Sequence, residues 1–251
     1  MNPNPALLRV AAACALLSGV TTFGVHLLPL LVPPVVTFDD QIALSVNPAY
    51  IFRLWWVIAH ILLVLFSMWG FGVVKLRTAP GAAGFGLFGF LLFGLAELLR
   101  TAFTLHAVNG WRKAHAAASD EAARAFLQGL LSAWPGIGTA LFFLMILGFL
   151  IGNLGFGAAT WRGQGLEKAV SVALLAWATI SLCVLAAEFG GAAWIAPPEW
   201  LSVSYQPAAR FLIAAWLWKK ARESSGSAAR SPSGGQAWRG APLPDSPEPL
   251  R

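Results

Sequence analysis

The chain is short of charge and lacks the motifs that soluble enzymes use. Only 11% of its 251 residues are Asp, Glu, Lys or Arg, whereas a soluble domain carries about 25%. It contains no nucleophile elbow, no His-Glu-X-X-His zinc motif, no Walker loop and no paired-cysteine metal spacing. We therefore predict neither catalytic residues nor metal ligands, and the sequence gives no positive support for an enzyme.

Cysteines and basic runs are scarce as well. The two cysteines, Cys14 and Cys183, fall in opposite halves of a membrane on the topology given below, which argues against a disulfide. The net charge of +6 comes without a basic run or an RNA-binding aromatic motif, so we expect no nucleic-acid partner. No cofactor is expected from any motif.

What the chain has is apolar sequence. Hydrophobic residues make up 57% of it, mean hydropathy is +0.67, and there are 12 Trp and 17 Phe. A helix needs about 20 apolar residues to cross a bilayer. Six segments meet this length, and they predict an all-α bundle of six transmembrane helices: 7–31, 51–74, 83–107, 136–160, 167–187 and 199–218.

The basic residues between these spans predict the orientation. Eight lie on one side, and the C-terminal tail adds three more: Arg9, Lys75, Arg77, Arg162, Lys168, Lys219, Lys220, Arg222, Arg230, Arg239 and Arg251. The other side holds Arg112, Lys113 and Arg124. Because lysine and arginine concentrate in cytoplasmic loops, both termini should be cytoplasmic in a bacterial inner membrane. The lipid bilayer is then the expected partner, and a homo-oligomer or a membrane partner stays open.

Two segments outside the spans carry further predictions. Residues of about 120–134 start with good N-cap chemistry and repeat apolar residues at helical spacing. Pro135 should separate this segment from the fourth span and leave a short helix in the outer interface. Residues 223–251 are rich in Ser, Gly and Pro, which predicts a disordered cytoplasmic tail after a transmembrane domain of residues 1–222.

Ionisable residues gather in the outer half of the predicted bundle. The candidates for ligand binding are Arg53, His60, Glu97, Arg100 and Arg210. Such groups are costly in lipid and usually face partners or a water-filled cavity, which predicts a polar vestibule for a small molecule or ion. The alternatives stay open. Glu97 and Arg100 are i,i+3 neighbours that can neutralise each other, and Arg53 can extend to the head groups.

Arg210 lies deeper than Arg53 and is expected to need an acid, Glu97 or Glu188, across the bundle.

Glycines in the third and fourth predicted spans support a different function. The third span carries Gly86, Gly89 and Gly94, and the fourth carries Gly148 and Gly152 in a GxxxG pair. Small residues let helix backbones approach closely in lipid, so these two spans should pack together centrally. The same faces could instead hold a partner, which would make the protein a structural or assembly subunit of a membrane complex.

Histidines allow a third interpretation. His26, His60 and His106 fall at similar depth on three spans, and paired histidines hold haem in helical bundles. A lipid-modifying membrane enzyme would use Glu97, His60 or His106 as acid and base. Neither interpretation has motif support.

Three runs resemble a known family. "NPAYIFRLWWVIAHILLVLFSMWGFGVVKL" is similar to the second helix of a bacterial integral-membrane family, domain of unknown function 4386. "GFLLFGLAELLRTAFTLHA" resembles its third helix and "GIGTALFFLMILGFLIG" its glycine-rich fourth. The resemblance covers most of residues 7–220. It implies a six-helix membrane protein and carries over no activity and no catalytic residue.

Overall fold

The structure is a computed structural model that describes residues 4–229, without the side chains of Glu199, Ser202 and residues 226–229. Within this range it contains helices and no strand. The eight α-helices are α1 Pro5–Leu27, α2 Phe38–Ala43, α3 Pro48–Lys75, α4 Pro80–Phe103, α5 Asn109–Ala117, α6 Glu121–Thr160, α7 Leu166–Phe189 and α8 Glu199–Ala229. The all-α prediction is confirmed for the described residues.

Local sequence explains where several helices begin. Pro5, Pro48 and Pro80 are the first residues of α1, α3 and α4, where proline's fixed φ suits the helix and its missing N–H costs nothing. The side chains of Asn4 and Asn47 cap α1 and α3 by accepting from backbone N–H groups.

The short helix α2 begins with a capping box. Thr37 accepts from the Asp40 backbone N–H at 3.1 Å, and its hydroxyl donates to the Asp40 carboxylate at 2.8 Å. These hydrogen bonds hold the pKa of Asp40 below its usual range. The cap fixes where the loop before α2 ends.

Five helical segments are long and apolar enough to cross a membrane: Pro5–Leu31, Pro48–Lys75, Pro80–Ala117, Glu121–Thr160 and Leu166–Phe189. The sixth predicted span lies within α8, which does not meet the same criterion. Its sequence carries Arg210 and the basic group that begins at Lys219, and both lower its hydropathy. The structure thus supports a multi-pass membrane protein and does not by itself confirm six spans.

The prediction of a separate interfacial helix before Pro135 is wrong. Pro135 lies inside α6, a continuous helix of 40 residues. The apolar face of the N-terminal part contacts protein, since Leu131 is buried and Trp134 stacks on Phe103 with ring centroids 5.0 Å apart. This packing offsets the backbone hydrogen bond that proline removes.

The loop predicted between the third and fourth spans is helical over most of its length. A π-helical turn, Thr104–Val108, joins α4 to α5, so that helical structure runs from Pro80 to Ala117. At about 1.5 Å rise per residue, this segment and α6 are each close to 60 Å long, twice the hydrocarbon thickness of a bilayer. We infer that α5 and the start of α6 extend beyond the hydrocarbon as a helical hairpin.

The last helix continues past the predicted start of the tail. α8 ends at Ala229, whereas the tail was predicted from residue 223. Residues 230–251 of the predicted tail lie outside the described residues.

The six long helices form a closed ring in the order α1, α3, α4, α6, α7 and α8. The closest pair is α4 and α6. Gly89 of α4 lies against the backbone of Gly152 in α6, and Gly86 lies against Gly155. The prediction that these two spans pack centrally is confirmed. Gly86, Gly89, Gly152 and Gly155 are thus in contact with each other's helix within one chain.

Several of the described basic residues predicted on one side of the membrane lie at one end of this ring. Lys75, at the end of α3, forms an ion pair with Glu167 at the start of α7. Arg9, near the start of α1, donates to the hydroxyl of Ser225 near the end of α8 at 3.4 Å. We call this the basic end of the bundle, and the end that carries α2 and α5 the opposite end.

Candidate functional site

Glu97 and Arg100 neutralise each other on α4. The Arg100 guanidinium donates to both Glu97 carboxylate oxygens, Nε to Oε2 at 2.8 Å and Nη2 to Oε1 at 2.7 Å. The Thr101 hydroxyl adds a weaker bond to Oε1 at 3.3 Å. A bidentate pair on one helix explains how a buried carboxylate is tolerated there. The pair is geometrically self-sufficient.

Arg53 lies near this pair without joining it. It is half-buried at the start of α3, within electrostatic range of Glu97 and Arg100. It makes no hydrogen bond or ion pair with another described residue. The geometry fits a guanidinium that extends toward the head groups, which is the simpler of the two interpretations of Arg53.

His60 joins α3 to α1. Its Nδ1 lies 2.8 Å from the Thr21 hydroxyl, which itself donates to the Leu17 carbonyl at 2.9 Å. The direction of this hydrogen bond depends on the imidazole tautomer. One turn away, the Trp56 indole donates to the Thr21 carbonyl at 2.9 Å. His60 is buried in a helix-to-helix contact.

Arg210 is the most unusual side chain in the described structure. It has an exposure of 0% in the middle of α8, and its Nε, Nη1 and Nη2 atoms all lack a hydrogen-bond partner. Its guanidinium carbon lies 5.1 Å from the Trp177 ring centre and 5.8 Å from that of Phe90. The charge is thus held against two aromatic rings and paired with no anion among the described residues.

The acids predicted for Arg210 are placed elsewhere. Glu97 is occupied by Arg100, and Glu188 is exposed near the end of α7. The prediction that one of them pairs with Arg210 is therefore wrong. Helical spacing placed these residues in the same half of the membrane, but depth alone does not decide which way a side chain points.

The contact between α7 and α8 is the sparsest in the ring, and two cavities lie beside it. A cavity of about 550 Å³ between these helices is lined in part by Tyr205, Ala209 and Leu212. A smaller one of about 150 Å³ is lined in part by Trp177, Ser181 and Gln206, and Gln206 lies one turn before Arg210 on α8. Small residues on both helices leave space along this α7–α8 contact, which we call the α7–α8 seam.

The five candidate residues of the predicted outer vestibule lie in two neighbourhoods. Arg53 lies beside the Glu97–Arg100 pair, while His60 lies within electrostatic range of Arg210. None of these five residues lines any of five cavities found within residues 4–229. The structure divides the predicted cluster into a paired group at the opposite end and a single buried cation at Arg210.

Sequence reasoning missed one polar cluster at the opposite end. Arg112 of α5, predicted in a loop, is 4% exposed and donates to the Tyr50 hydroxyl at 3.2 Å and to Asn109 Oδ1 at 2.9 Å. No sequence pattern indicated this cluster, because α5 is not predicted as a continuation of α4. The contacts anchor α5 onto the start of α3.

The remaining histidines make contacts of other kinds. The exposed His106 packs edge-on against Trp55 with ring centroids 6.5 Å apart, and His115 packs against Phe38 at 5.1 Å. Across residues 4–229 there is no group of three or more His, Cys, Asp or Glu side chains that could hold a metal ion.

These observations define the class of protein: an all-helical, multi-pass membrane protein with a charged residue buried in its bundle. The chain matches no family model, no curated protein and no solved structure. The likeness to domain of unknown function 4386 stays an expectation. The candidate functional residues of this chain therefore rest on their geometry.

Proposed function

We propose that α8 is the sixth transmembrane span and that both termini lie on the cytoplasmic side of a bacterial inner membrane. α8 closes the ring between α7 and α1, and its 31 residues extend about 46 Å, enough to cross a bilayer. The contact of Arg9 with Ser225 joins the two ends of the described chain on the basic side. A reporter that is active only in the cytoplasm should therefore be active when fused to the C-terminus.

We propose further that the protein binds a small organic anion inside the bundle, as a transporter or a sensor-like subunit, with Arg210 as its main contact. One observation carries this proposal: a fully buried guanidinium whose three nitrogen atoms lack any hydrogen-bond partner. Buried charges in membrane proteins are almost always paired, or they face a water-filled pathway. A carboxylate or phosphate would satisfy the planar N–H donors of Arg210 in a bidentate pair.

The surroundings of Arg210 favour a ligand over a structural role. Trp177 and Phe90 present ring faces that stabilise a cation, but ring faces accept N–H groups only weakly compared with an oxygen acceptor. Two cavities lie along the sparse α7–α8 contact, beside residues that neighbour Arg210 on α8, and a ligand of limited size would enter by separating these two helices.

A structural guanidinium is expected to make hydrogen bonds within the fold, as Arg112 does from Nη1 to Tyr50 and Asn109, although its Nε also lacks a partner among the described residues.

The test is to identify what copurifies with the protein. Small molecules extracted from wild-type protein and from Arg210→Met should be compared by mass spectrometry. Arg222→Met serves as the matched control, because Arg222 is an exposed arginine on the same helix that contacts only the Trp218 ring among described residues. A carboxylate or phosphate compound should be retained by wild type and by the control, and be at least about tenfold depleted in Arg210→Met. Equal retention by Arg210→Met would refute the proposal.

A further inference from the structure

A separate cavity lies at the basic end of the bundle. It has a volume of about 750 Å³ and is enclosed by the ends of α3, α6 and α8 and the starts of α4 and α7. Its charged and aromatic lining includes Lys75, Arg77, Arg162, Glu167, Trp216 and Lys220. This cavity shares no lining residue with the α7–α8 cavities near Arg210.

The charges around this cavity do not balance. Glu167 is paired with Lys75, and Glu223 accepts from Lys220 at 2.9 Å. Arg77 and Arg162 are both exposed and make no hydrogen bond or ion pair with any described residue. The two carboxylates of the cavity are therefore satisfied by the lysines, and two guanidinium groups are left unmatched.

Trp216, which also lines this cavity, carries an unused neutral donor. Trp216 is 1% exposed, and its indole Nε1 has no hydrogen-bond partner. The ammonium groups of Lys75 and Lys220 lie 5.6 and 6.0 Å from the Trp216 ring, which is packed against Phe71. A buried N–H without an acceptor is costly, so an acceptor is expected from outside the described residues.

The basic loops that orient membrane proteins account for the cations alone. They do not account for a 750 Å³ cavity lined by a buried tryptophan whose N–H is unused. The unpaired polar groups around the cavity are hydrogen-bond donors, namely the guanidinium groups of Arg77 and Arg162 and the indole N–H of Trp216. This set matches a tetrahedral oxyanion, which presents several acceptor oxygens and prefers bidentate arginine contacts.

We propose that this cavity binds a phosphate group, with Arg77 and Arg162 as its charged contacts and the Trp216 N–H as a neutral one. The site is independent of the anion site at Arg210. Its position at the basic end of the bundle allows two sources for the phosphate, the head group of an anionic phospholipid or a free phosphate compound from the adjacent solution.

The experiment has two arms. In the first, wild-type protein in detergent is offered equal amounts of phosphatidylglycerol and phosphatidylcholine, and retained lipid is measured by native mass spectrometry. In the second, protein in phosphatidylcholine nanodiscs is dialysed against radiolabelled inorganic phosphate. Both arms compare wild type with Arg77→Gln/Arg162→Gln and with Trp216→Phe. Arg9→Gln/Arg222→Gln is the matched control, because it removes two guanidiniums from the same end outside this cavity.

We expect saturable binding in at least one arm, and that arm identifies the source. The Arg77/Arg162 variant should weaken binding by about tenfold or more, and Trp216→Phe by a smaller factor, since charged hydrogen bonds are the stronger ones. The control should stay within about twofold of wild type. The proposal is overturned if neither ligand binds wild-type protein. It is equally overturned if the control loses as much affinity as the Arg77/Arg162 variant, because the effect would then be one of total charge.

Discussion

Replacing Arg210 with methionine gives the sharpest test of how the bundle is built. Methionine has similar length, keeps the apolar contacts with Phe90 and Trp177, and removes the charge with its unpaired N–H groups. If Arg210 serves a ligand, the ligand-free protein should lose little stability from this change. If Arg210 is a structural ion pair, the same change should be strongly destabilising.

The expected magnitude follows from two opposing effects. A charged arginine at the centre of a membrane helix costs about 3 kcal/mol. Two desolvated ring contacts at 5.1 and 5.8 Å return about 1–2 kcal/mol each. These effects nearly cancel, so the unfolding free energy of ligand-free Arg210→Met should stay within about 1 kcal/mol of wild type. For a chain of this size the midpoint temperature then moves by no more than about 4 °C.

The assay is thermal unfolding of detergent-purified protein, followed by tryptophan fluorescence after exhaustive dialysis. Arg112→Met is the internal reference, because Arg112 is buried but hydrogen-bonded to Tyr50 and Asn109. Losing those two charged hydrogen bonds should cost about 3 kcal/mol, or about 6–12 °C in midpoint. Both variants remove a buried guanidinium, but that of Arg112 is hydrogen-bonded and that of Arg210 is not.

The reasoning is refuted if Arg210→Met is destabilised as much as Arg112→Met in ligand-free protein. That result would mean that Arg210 is paired in the folded state, since breaking a buried ion pair costs about 3–5 kcal/mol. An anion added back to wild type should raise its midpoint and leave that of Arg210→Met unchanged, because ligand binding stabilises only the form that binds.

Three other predictions follow. Gly89→Ala places a methyl group against the Gly152 backbone and should lower the midpoint temperature of unfolding by several degrees. Gly84→Ala is the control, because its Cβ would meet nothing within 4 Å, and it should leave the midpoint unchanged or slightly raised. Similar midpoints for the two variants would contradict the α4–α6 contact. Glu97→Leu should reduce the amount of folded protein, and adding Arg100→Leu should restore it, because the double variant leaves no unpaired charge; failure to restore would indicate a further role for the pair. Purified protein should show no Soret band in its visible spectrum, and such a band would revive the haem interpretation.

Several features could be predicted from the sequence because they depend on composition and local spacing. Apolar runs of membrane length predicted five helices that the structure contains. The i,i+3 spacing of Glu97 and Arg100 predicted a self-neutralising pair, since neighbours on one helix meet whatever the rest of the fold does. The glycines of α4 and α6 predicted close packing for a similar reason: only glycine permits such a backbone approach.

Features that depend on contacts between distant segments could not be predicted. Pro135 indicated a helix boundary by local rules, but packing of Leu131 and Trp134 against protein keeps α6 continuous through it. Arg112 was assigned to a loop and is buried on Tyr50. In both cases tertiary packing stabilises a conformation that local preference alone disfavours.

By itself, then, the sequence determined a membrane-embedded helical protein with its basic residues gathered on one side, because hydropathy and charge are properties of the chain. Only the tertiary structure decided which of the buried charges are paired. Glu97 finds Arg100 on its own helix, while Arg210 lies between rings contributed by α4 and α7 and meets no acid among the described residues. Whether charges on different helices pair depends on side-chain direction and on distance across the bundle, and spacing along the chain gives neither.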